Sequence, residues 1–244
     1  MRESVKRVVA RQFAGLALAG LLLFPLCVFV GDRTNSVKTA AITGVLRVID
    51  GDSIVLDDVR IRLEGIDAPE TTQACDLRTS GQWRCGEGAT QQLIKLINKR
   101  PVVCENMGLD KYRRTLGRCL AGNTNLNAEM VRTGYAWAFV RYSKAYVAQE
   151  AEAKAARAGI WQGDAQPAWE YRARAWATAE AQAPRGCTIK GNVTNAGRIY
   201  HMPWSPWYEK VRMDEDARGV PKGKRWFCSE TEAQQAGWRS AMTR

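Results

Sequence analysis

The chain has 244 residues, 45% apolar and 25% charged, and its 36 Lys/Arg against 25 Asp/Glu give a net charge of +11. That composition excludes wholesale disorder and leaves room for one ordinary core plus a small second module. A single histidine, His201, excludes chemistry built on paired histidines and argues against a histidine-activated hydroxyl nucleophile; there is no Walker loop and no Rossmann glycine pattern.

Arg2, Lys6, Arg7 and Arg11 precede an apolar run at 13–30, FAGLALAGLLLFPLCVFV. A basic flank and a long apolar run form the pattern of an export signal, and the run is long enough to span a bilayer as a helix. No A-x-A site follows Val30, which favours an uncleaved anchor. Residues 1–31 are expected to be a signal peptide or signal-anchor helix, followed by a linker at 32–41. The protein is then extracytoplasmic: periplasmic and anchored in the inner membrane, or secreted after signal cleavage.

Residues 42–66 alternate as short strands do, in ITGVLRVI, SIVL and VRIRLEGI, with Asp57 and Asp58 as a two-residue turn. Residues 71–86 read as a polar loop. GATQQLIKLINK, 88–99, has helical spacing at Leu93, Ile94 and Ile97. PVVCENM and RTLGRCLAG read as two more strands joined across LDKYRR, and 125–134 and 144–158 as helices, the second ending at Gly159. From 162 to 186 the Ala-rich chain, with Pro167 and Pro184, reads as a docked tail and a linker.

Five short strands with helices between and after them fit an α+β fold, a β-barrel with helices of the five-stranded OB type. A parallel α/β sheet fits worse, because the first three strands leave no room for crossover helices. The expected divisions are 42–162 for this domain, 163–186 for tail and linker, and 187–244 for a small C-terminal module. That module holds Trp204, Trp207, Trp226 and Trp238, expected to be its core; the alternative is stacking on nucleic-acid bases. His201 is expected to be structural.

Six cysteines lie outside the apolar run, an even number that suits disulfides in an exported chain. Cys75 and Cys85 bracket one loop, Cys104 and Cys119 one hairpin, and Cys187 and Cys228 much of the last module, while zinc is the alternative without any CxxC pair. Net charge is +4 in 1–41, +4 in 187–244 and only +3 in 42–186, so the middle is nearly balanced.

The acids of the middle gather in VIDGDSIVLDDVRIRLEGIDAPE, 48–70. Asp52 at the entry to the second strand and Asp67 just after the third can hold a hard divalent cation. Glu70 can activate a water, and Arg62 can bind two phosphate oxygens at once. Together they suggest metal-assisted phosphodiester hydrolysis, against the plainer reading of a solvated strand face. Asp57 and Asp58 are expected only to turn the chain, and Glu64 to face solvent. The turn raises a difficulty: it pairs position 53 with 62 and 52 with 63, pointing Asp52 and Arg62 to opposite faces. They converge only if a bulge shifts the register or Asp52 precedes the regular pleat.

IDGDS at 49–53, IRLEGIDAPE at 61–70 and DKYRRTLG at 110–117, then LNAEMVRTGYAWA at 126–138 and EAEAKAARAGIW at 150–161, resemble the staphylococcal nuclease (thermonuclease) family from about residue 42 to 161. The resemblance implies an OB-fold barrel with helices and Ca2+-dependent hydrolysis of DNA and RNA, with little sequence preference and 3′-phosphate products. It places the Ca2+ ligands on Asp52, Asp67 and the carbonyl of Ala68, with Asp50 behind them. It places catalysis on Arg62, Glu70 and Arg114, and nucleotide contacts on Tyr112 and Tyr142. The family writes Gly where Arg113 stands, a departure expected to stiffen that loop. The two cysteine pairs before residue 120 resemble those of envelope-targeted bacterial relatives, and 187–244 resembles a short domain found after such nuclease domains.

The implied partners are DNA and RNA substrates and, if the N-terminal segment is uncleaved, a membrane; no protein partner is evident and a monomer is expected. Arg62→Ala or Glu70→Gln is expected to cripple cleavage with little loss of fold. The competing reading is a catalytically inactive envelope protein of OB fold that binds nucleic acid or glycan. All five site positions carry the expected residue types, which speaks against it.

Overall fold

Gly44 divides the first expected strand: β1 (Ala41–Ile42) and β2 (Leu46–Val48) are separate in the computed structural model, which describes residues 41–183, 186–213 and 223–241. β3 (Ser53–Leu56) and β4 (Val59–Leu63) form a hairpin in the expected register, Ser53 opposite Arg62. Asp57 turns the hairpin in the left-handed region, φ 50°, and its Oδ1 also accepts the Val45 N–H at 2.8 Å, so it pins the chain just before β2. Gly65, φ 75°, swings the chain into β5 (Ile66–Asp67).

A small ladder, β6 (Cys75–Asp76) and β7 (Gln82–Trp83), leads into α1 (Cys85–Ile97), which starts three residues earlier than its apolar spacing suggests. β8 (Val102–Leu109) and β9 (Thr115–Ala121) make a long hairpin with a register shift between Asn106 and Gly108. After β10 (Thr124–Asn125) comes α2 (Leu126–Arg132), whose N-cap Asn125 accepts the Ala128 N–H at 3.0 Å. β11 (Trp137–Ala138), α3 (Val147–Ala155) and a 3-10 turn at Gly159–Gln162 complete this half.

The expected tail and linker contain a helix, α4 (Ala168–Gln182). It has six alanines behind Pro167, the strongest helix former following a residue suited to a helix start. Its apolar side chains do not gather into one clean stripe, so periodicity passes over it. The rest comprises β12 (Ile189–Thr194), β13 (Gly197–His201), β14 (Lys224–Phe227), α5 (Glu230–Gln235) and β15 (Arg239–Ser240).

The main sheet runs β1-β8-β9-β4-β3-β2 with β10 on β9; β4 and β9 are parallel and the other pairs antiparallel. Its two edges, β1 and β2, are consecutive in the chain, but no ladder joins them among the described residues. The fold is therefore mixed α+β without a hydrogen-bonded closed barrel. Ile54, Leu56, Ile61 and Leu63 from the sheet pack with Leu93 of α1 and Leu126 and Met130 of α2, all fully buried. Each such side chain contributes roughly 1.5–3 kcal/mol of burial free energy.

The disulfides join chain neighbours: Cys75–Cys85, Cys104–Cys119 and Cys187–Cys228. The second sheet, β14-β12-β13-β15, packs Ile189, Tyr200 and Phe227. Of the four tryptophans expected there, only Trp238 is buried; Trp204 and Trp226 are half-buried and Trp207 is 43% exposed. The smaller side chains suffice, and Trp204 instead meets Trp176 of α4 at 6.3 Å. His201 is buried, which pushes its pKa below the ordinary value. The signal or anchor segment at 1–31 lies outside the described residues, among which no helix is long and apolar enough to cross a membrane.

Candidate active site

β3 begins at Ser53, so Asp52 precedes the regular pleat and escapes its alternation. The N–H groups of Ile49 and Asp50 both donate to the Ser53 carbonyl, at 2.9 and 3.3 Å, which folds the chain tightly before the strand. The Asp52 carbonyl still accepts the Leu63 N–H at 2.8 Å, but its side chain turns to Arg62, with Nη1 2.8 Å from Oδ1. The expected register stands, and no bulge is needed to bring the two together. Gly51 permits the turn: a Cβ there would lie 2.7 Å from the Cβ atoms of Ala68 and Ala89.

Arg62 bridges the two aspartates. Its Nη2 donates to Asp67 Oδ1 at 2.6 Å, and Asp67 is completely buried. Asp52, 4% exposed, is further held by Ser53 Oγ on Oδ1 and by the Ala68 N–H on Oδ2, both at 3.0 Å. Burial alone would raise the Asp52 pKa, but Arg62 and the Ala68 N–H outweigh it, so Asp52 stays below its ordinary value. Burial and the neighbouring Asp52 charge push Asp50 up to about 6, and its Oδ1 accepts the Asp52 N–H at 3.1 Å. Asp50 therefore sits behind the pair.

Glu70 lies on the segment after β5. Its N–H donates to Gln73 Oε1 at 3.2 Å, and Gln73 Nε2 donates to the Gln166 carbonyl at 2.6 Å. The first turn of α1 presses on this segment so closely that a Cβ on Gly86 would lie 1.7 Å from the Glu70 carbonyl oxygen. Burial pushes the Glu70 carboxyl up to about 7, although Arg172 pulls against it.

Arg172, from α4, is the site residue that sequence reasoning missed. Its Nη2 is 2.7 Å from Asp67 Oδ2, and its Nη1 is 3.1 Å from Asp67 Oδ1 and 2.8 Å from Glu70 Oε1. The signal was available once 168–182 is read as a helix. Trp169, Arg172 and Trp176 then share one face at i, i+3 and i+7. Trp169 stacks on Phe139 at 5.6 Å and Trp176 packs on Trp204, which turns Arg172 inward between them.

Arg114 arrives from the start of β9. Asp110 holds it, accepting its backbone N–H at 2.8 Å and Nε at 2.6 Å, and also accepts the Tyr112 N–H at 2.9 Å. Arg113 adopts φ 62°, the left-handed conformation that favours glycine, so the departure from the family pattern falls on a strained position. The Arg114 guanidinium lies 5.4 Å from the Tyr112 ring centroid. Tyr142 is 68% exposed and rests 4.9 Å from the Phe139 ring.

One cavity of about 590 Å³ gathers Asp50, Asp52, Arg62, Ala68, Glu70, Tyr112, Arg114, Tyr142 and Arg172 in its lining, with Asp67 beneath. Met202, Trp204, Glu230 and Ser240 of the second sheet region complete its wall. Glu64 also lines it, half-buried, with Oε2 enclosed and without a hydrogen-bond partner among the described residues. It does not face solvent as expected, because the turn at Gly65 carries its segment under the cavity. Arg62, 15% exposed and bonded to two buried aspartates, is part of the fold as well as the site.

The acidic side chains offer oxygen donors only, from the two buried carboxylates of Asp52 and Asp67, and this chemistry fits a hard divalent cation. No group of three His, Cys, Asp or Glu among the described residues forms a cage, so water or phosphate oxygens would complete the shell. Oxygen donors of the kind a cation takes and guanidinium forks of the kind an anion takes thus lie together on one α+β scaffold.

Residues 60–163 match the family described as staphylococcal nuclease homologue. The chain is 37% identical over 146 residues to a micrococcal nuclease of Shigella flexneri, covering 52% of this chain and 78% of that protein. It is 35% identical over 136 residues to the succinoglycan biosynthesis protein ExoI of Rhizobium meliloti, covering 54% and 70%. It is 36% identical over 138 residues to an uncharacterized endonuclease of Escherichia coli O157:H7, covering 53% and 84%. The chain belongs to the staphylococcal nuclease family.

Proposed function

We propose that the protein is a Ca2+-dependent nuclease that hydrolyses DNA and RNA with little sequence preference and leaves 3′-phosphates. The observation that carries the reading is the bridge of Arg62 across Asp52 and Asp67, in a cavity that Glu70 and Arg114 also line.

In this reading Asp52, Asp67 and the Ala68 carbonyl would hold the cation, and the chemistry it would supply is Lewis-acid stabilisation of charge on the phosphate oxygens. Glu70 takes a proton from the attacking water; burial, which raises its carboxyl above the ordinary value, makes it a stronger base than an exposed glutamate. The water oxygen bonds to phosphorus, the bond to the 5′-oxygen breaks, and that oxygen takes a proton from solvent, so the phosphate stays on the 3′ side. Arg62 offers its fork to the phosphate oxygens, and Arg114 offers charge to the leaving oxygen. Tyr112 and Tyr142, at the rim, present ring faces to a base. Contacts made to phosphate and ring faces carry no base code, which accounts for low sequence preference.

The accompanying fold reading is an OB-type domain at 42–162, its edges β1 and β2 brought round by the chain at 43–45, followed by a small module at 187–244. Three disulfides support an extracytoplasmic location, and nothing in the reading calls for more than a monomer. The test is cleavage of single-stranded DNA and RNA by the purified chain in Ca2+ and in chelator, with analysis of the product ends. Cleavage in Ca2+ only, giving 3′-phosphates and abolished by Glu70→Gln, is expected. Binding without cleavage overturns the reading in favour of an inactive nucleic-acid-binding protein.

A further inference from the structure

Helix α4 lies beyond the matched family region at 60–163, yet it places a side chain among the catalytic groups. Arg172 grips both oxygens of Asp67 and one of Glu70. Asp67 Oδ1 is shared with Arg62 Nη2. Two guanidiniums, one from β4 and one from α4, thus hold the same buried oxygen, and both line the cavity. We propose that Arg172 is a third phosphate-binding arginine of this cleft, supplied by a helix outside the nuclease-like domain; the proposal rests on the nuclease reading above.

Three observations carry it. First, α4 does not need this ion pair to dock. Ala168 is fully buried, Trp169 stacks on Phe139, Trp176 packs on Trp204, and the Tyr171 hydroxyl is 3.1 Å from Thr72 Oγ1. An enclosed ion pair makes a poor tether, since its desolvation cost offsets much of the attraction. Second, Arg172 lines the cavity and its two terminal nitrogens are set as a fork on the two oxygens of Asp67, the same geometry that takes two oxygens of a phosphate. Third, Arg172 stands as Arg62 stands, on a carboxylate suited to a cation, whereas Arg114 is held apart by Asp110. Neutralising Asp67 frees both forks for a phosphate lying between them.

The test uses the full chain, Arg172→Ala and Arg172→Gln. The probe is a phosphorothioate oligothymidylate of about eight nucleotides in Ca2+, bound at several salt concentrations and followed by fluorescence anisotropy. Arg172→Ala is expected to weaken binding at least tenfold and to lower the slope of log K against log salt by about 0.7, the value for one lost contact to a single strand. Arg172→Gln, which keeps a donor but no charge, loses the same slope and covers the case in which the alanine variant does not fold. Cleavage of the unmodified strand falls in parallel. Unchanged affinity and slope overturn the proposal. Tighter binding with faster cleavage also overturns it and makes Arg172 a plug. Loss of binding in the variants of a wild type that binds but does not cleave leaves the third arginine standing and sinks the nuclease reading; a wild type that does not bind sinks both.

Discussion

Glu70→Gln should stabilise the chain at pH 8 and leave it nearly unaffected at pH 4.5, both relative to wild type. In the folded wild type, burial holds the Glu70 carboxyl up to about 7 against an ordinary value of 4.5. Between those values the folded chain keeps a proton that the unfolded chain releases. The unfolded state then binds fewer protons, so stability falls as pH rises through the window. Below 4.5 both states are protonated and nothing is lost; above about 7 both are ionised and the loss is complete. At about 1.4 kcal/mol per pH unit the full loss is on the order of 3 kcal/mol. Glutamine does not titrate, so the stability difference between the two proteins should move by that amount in favour of Gln. Asp50, raised to about 6, titrates through the same range and its charge helps to raise Glu70, so the comparison is repeated in an Asp50→Asn background. The assay is urea denaturation followed by tryptophan fluorescence, disulfides intact and chelator present, because a bound cation would favour the ionised carboxylate. A difference that stays flat with pH, or grows in favour of Glu, refutes the reasoning. If Glu70 is the base proposed above, cleavage in Ca2+ should be absent from Glu70→Gln throughout, and in wild type should rise with pH at a midpoint below the metal-free value, because the cation favours the ionised carboxylate.

Arg62→Ala leaves Asp52 and Asp67 buried with fewer partners; it should cost about 3–5 kcal/mol in denaturant titrations as well as abolish cleavage. Gly86→Ala, whose Cβ would lie 1.7 Å from the Glu70 carbonyl oxygen, should destabilise the chain by about 1–3 kcal/mol and reduce kcat by displacing Glu70, as thermal melts and single-turnover kinetics would record. Ca2+ at about 100 times its Kd should add about 2.7 kcal/mol to stability in a melt, and Asp67→Asn should remove that gain.

Much of the fold is local pattern and was legible as such. The β3–β4 hairpin register follows from a two-residue turn, and it holds to the residue. What the register could not supply was the direction of Asp52, because alternation governs only residues inside the ladder and Asp52 stands one residue outside it. The Arg113 position shows the reverse case. A glycine in the family pattern marked a conformational demand, and the left-handed backbone there is that demand, met by an arginine at some cost. Helix α4 was illegible for a different reason. Its stability comes from alanine propensity and from contacts made by isolated tryptophans, and neither produces the stripe that periodicity detects. The tryptophans of 187–241 misled because size was taken for burial; Trp204 and Trp207 are large but stand at the edge of a core already filled by Ile189, Tyr200 and Phe227.

The family match spans less than the site. Asp52 lies before residue 60 and Arg172 after residue 163, while Trp204 and Glu230 wall the cavity from farther still. Asp67 is completely buried, and guanidiniums from both sides of it in the sequence close over its carboxylate. A chain cut after residue 163 would keep Asp52, Arg62, Asp67, Glu70 and Arg114 and lose the cover. Its carboxylates would regain water, and Glu70 would lose both the burial that raises its pKa and the Arg172 guanidinium that lowers it. The setting of Glu70, the base in the proposed reaction, therefore depends on a helix outside the matched residues. In this protein the environment that tunes the site belongs to the segment least recognisable in its sequence.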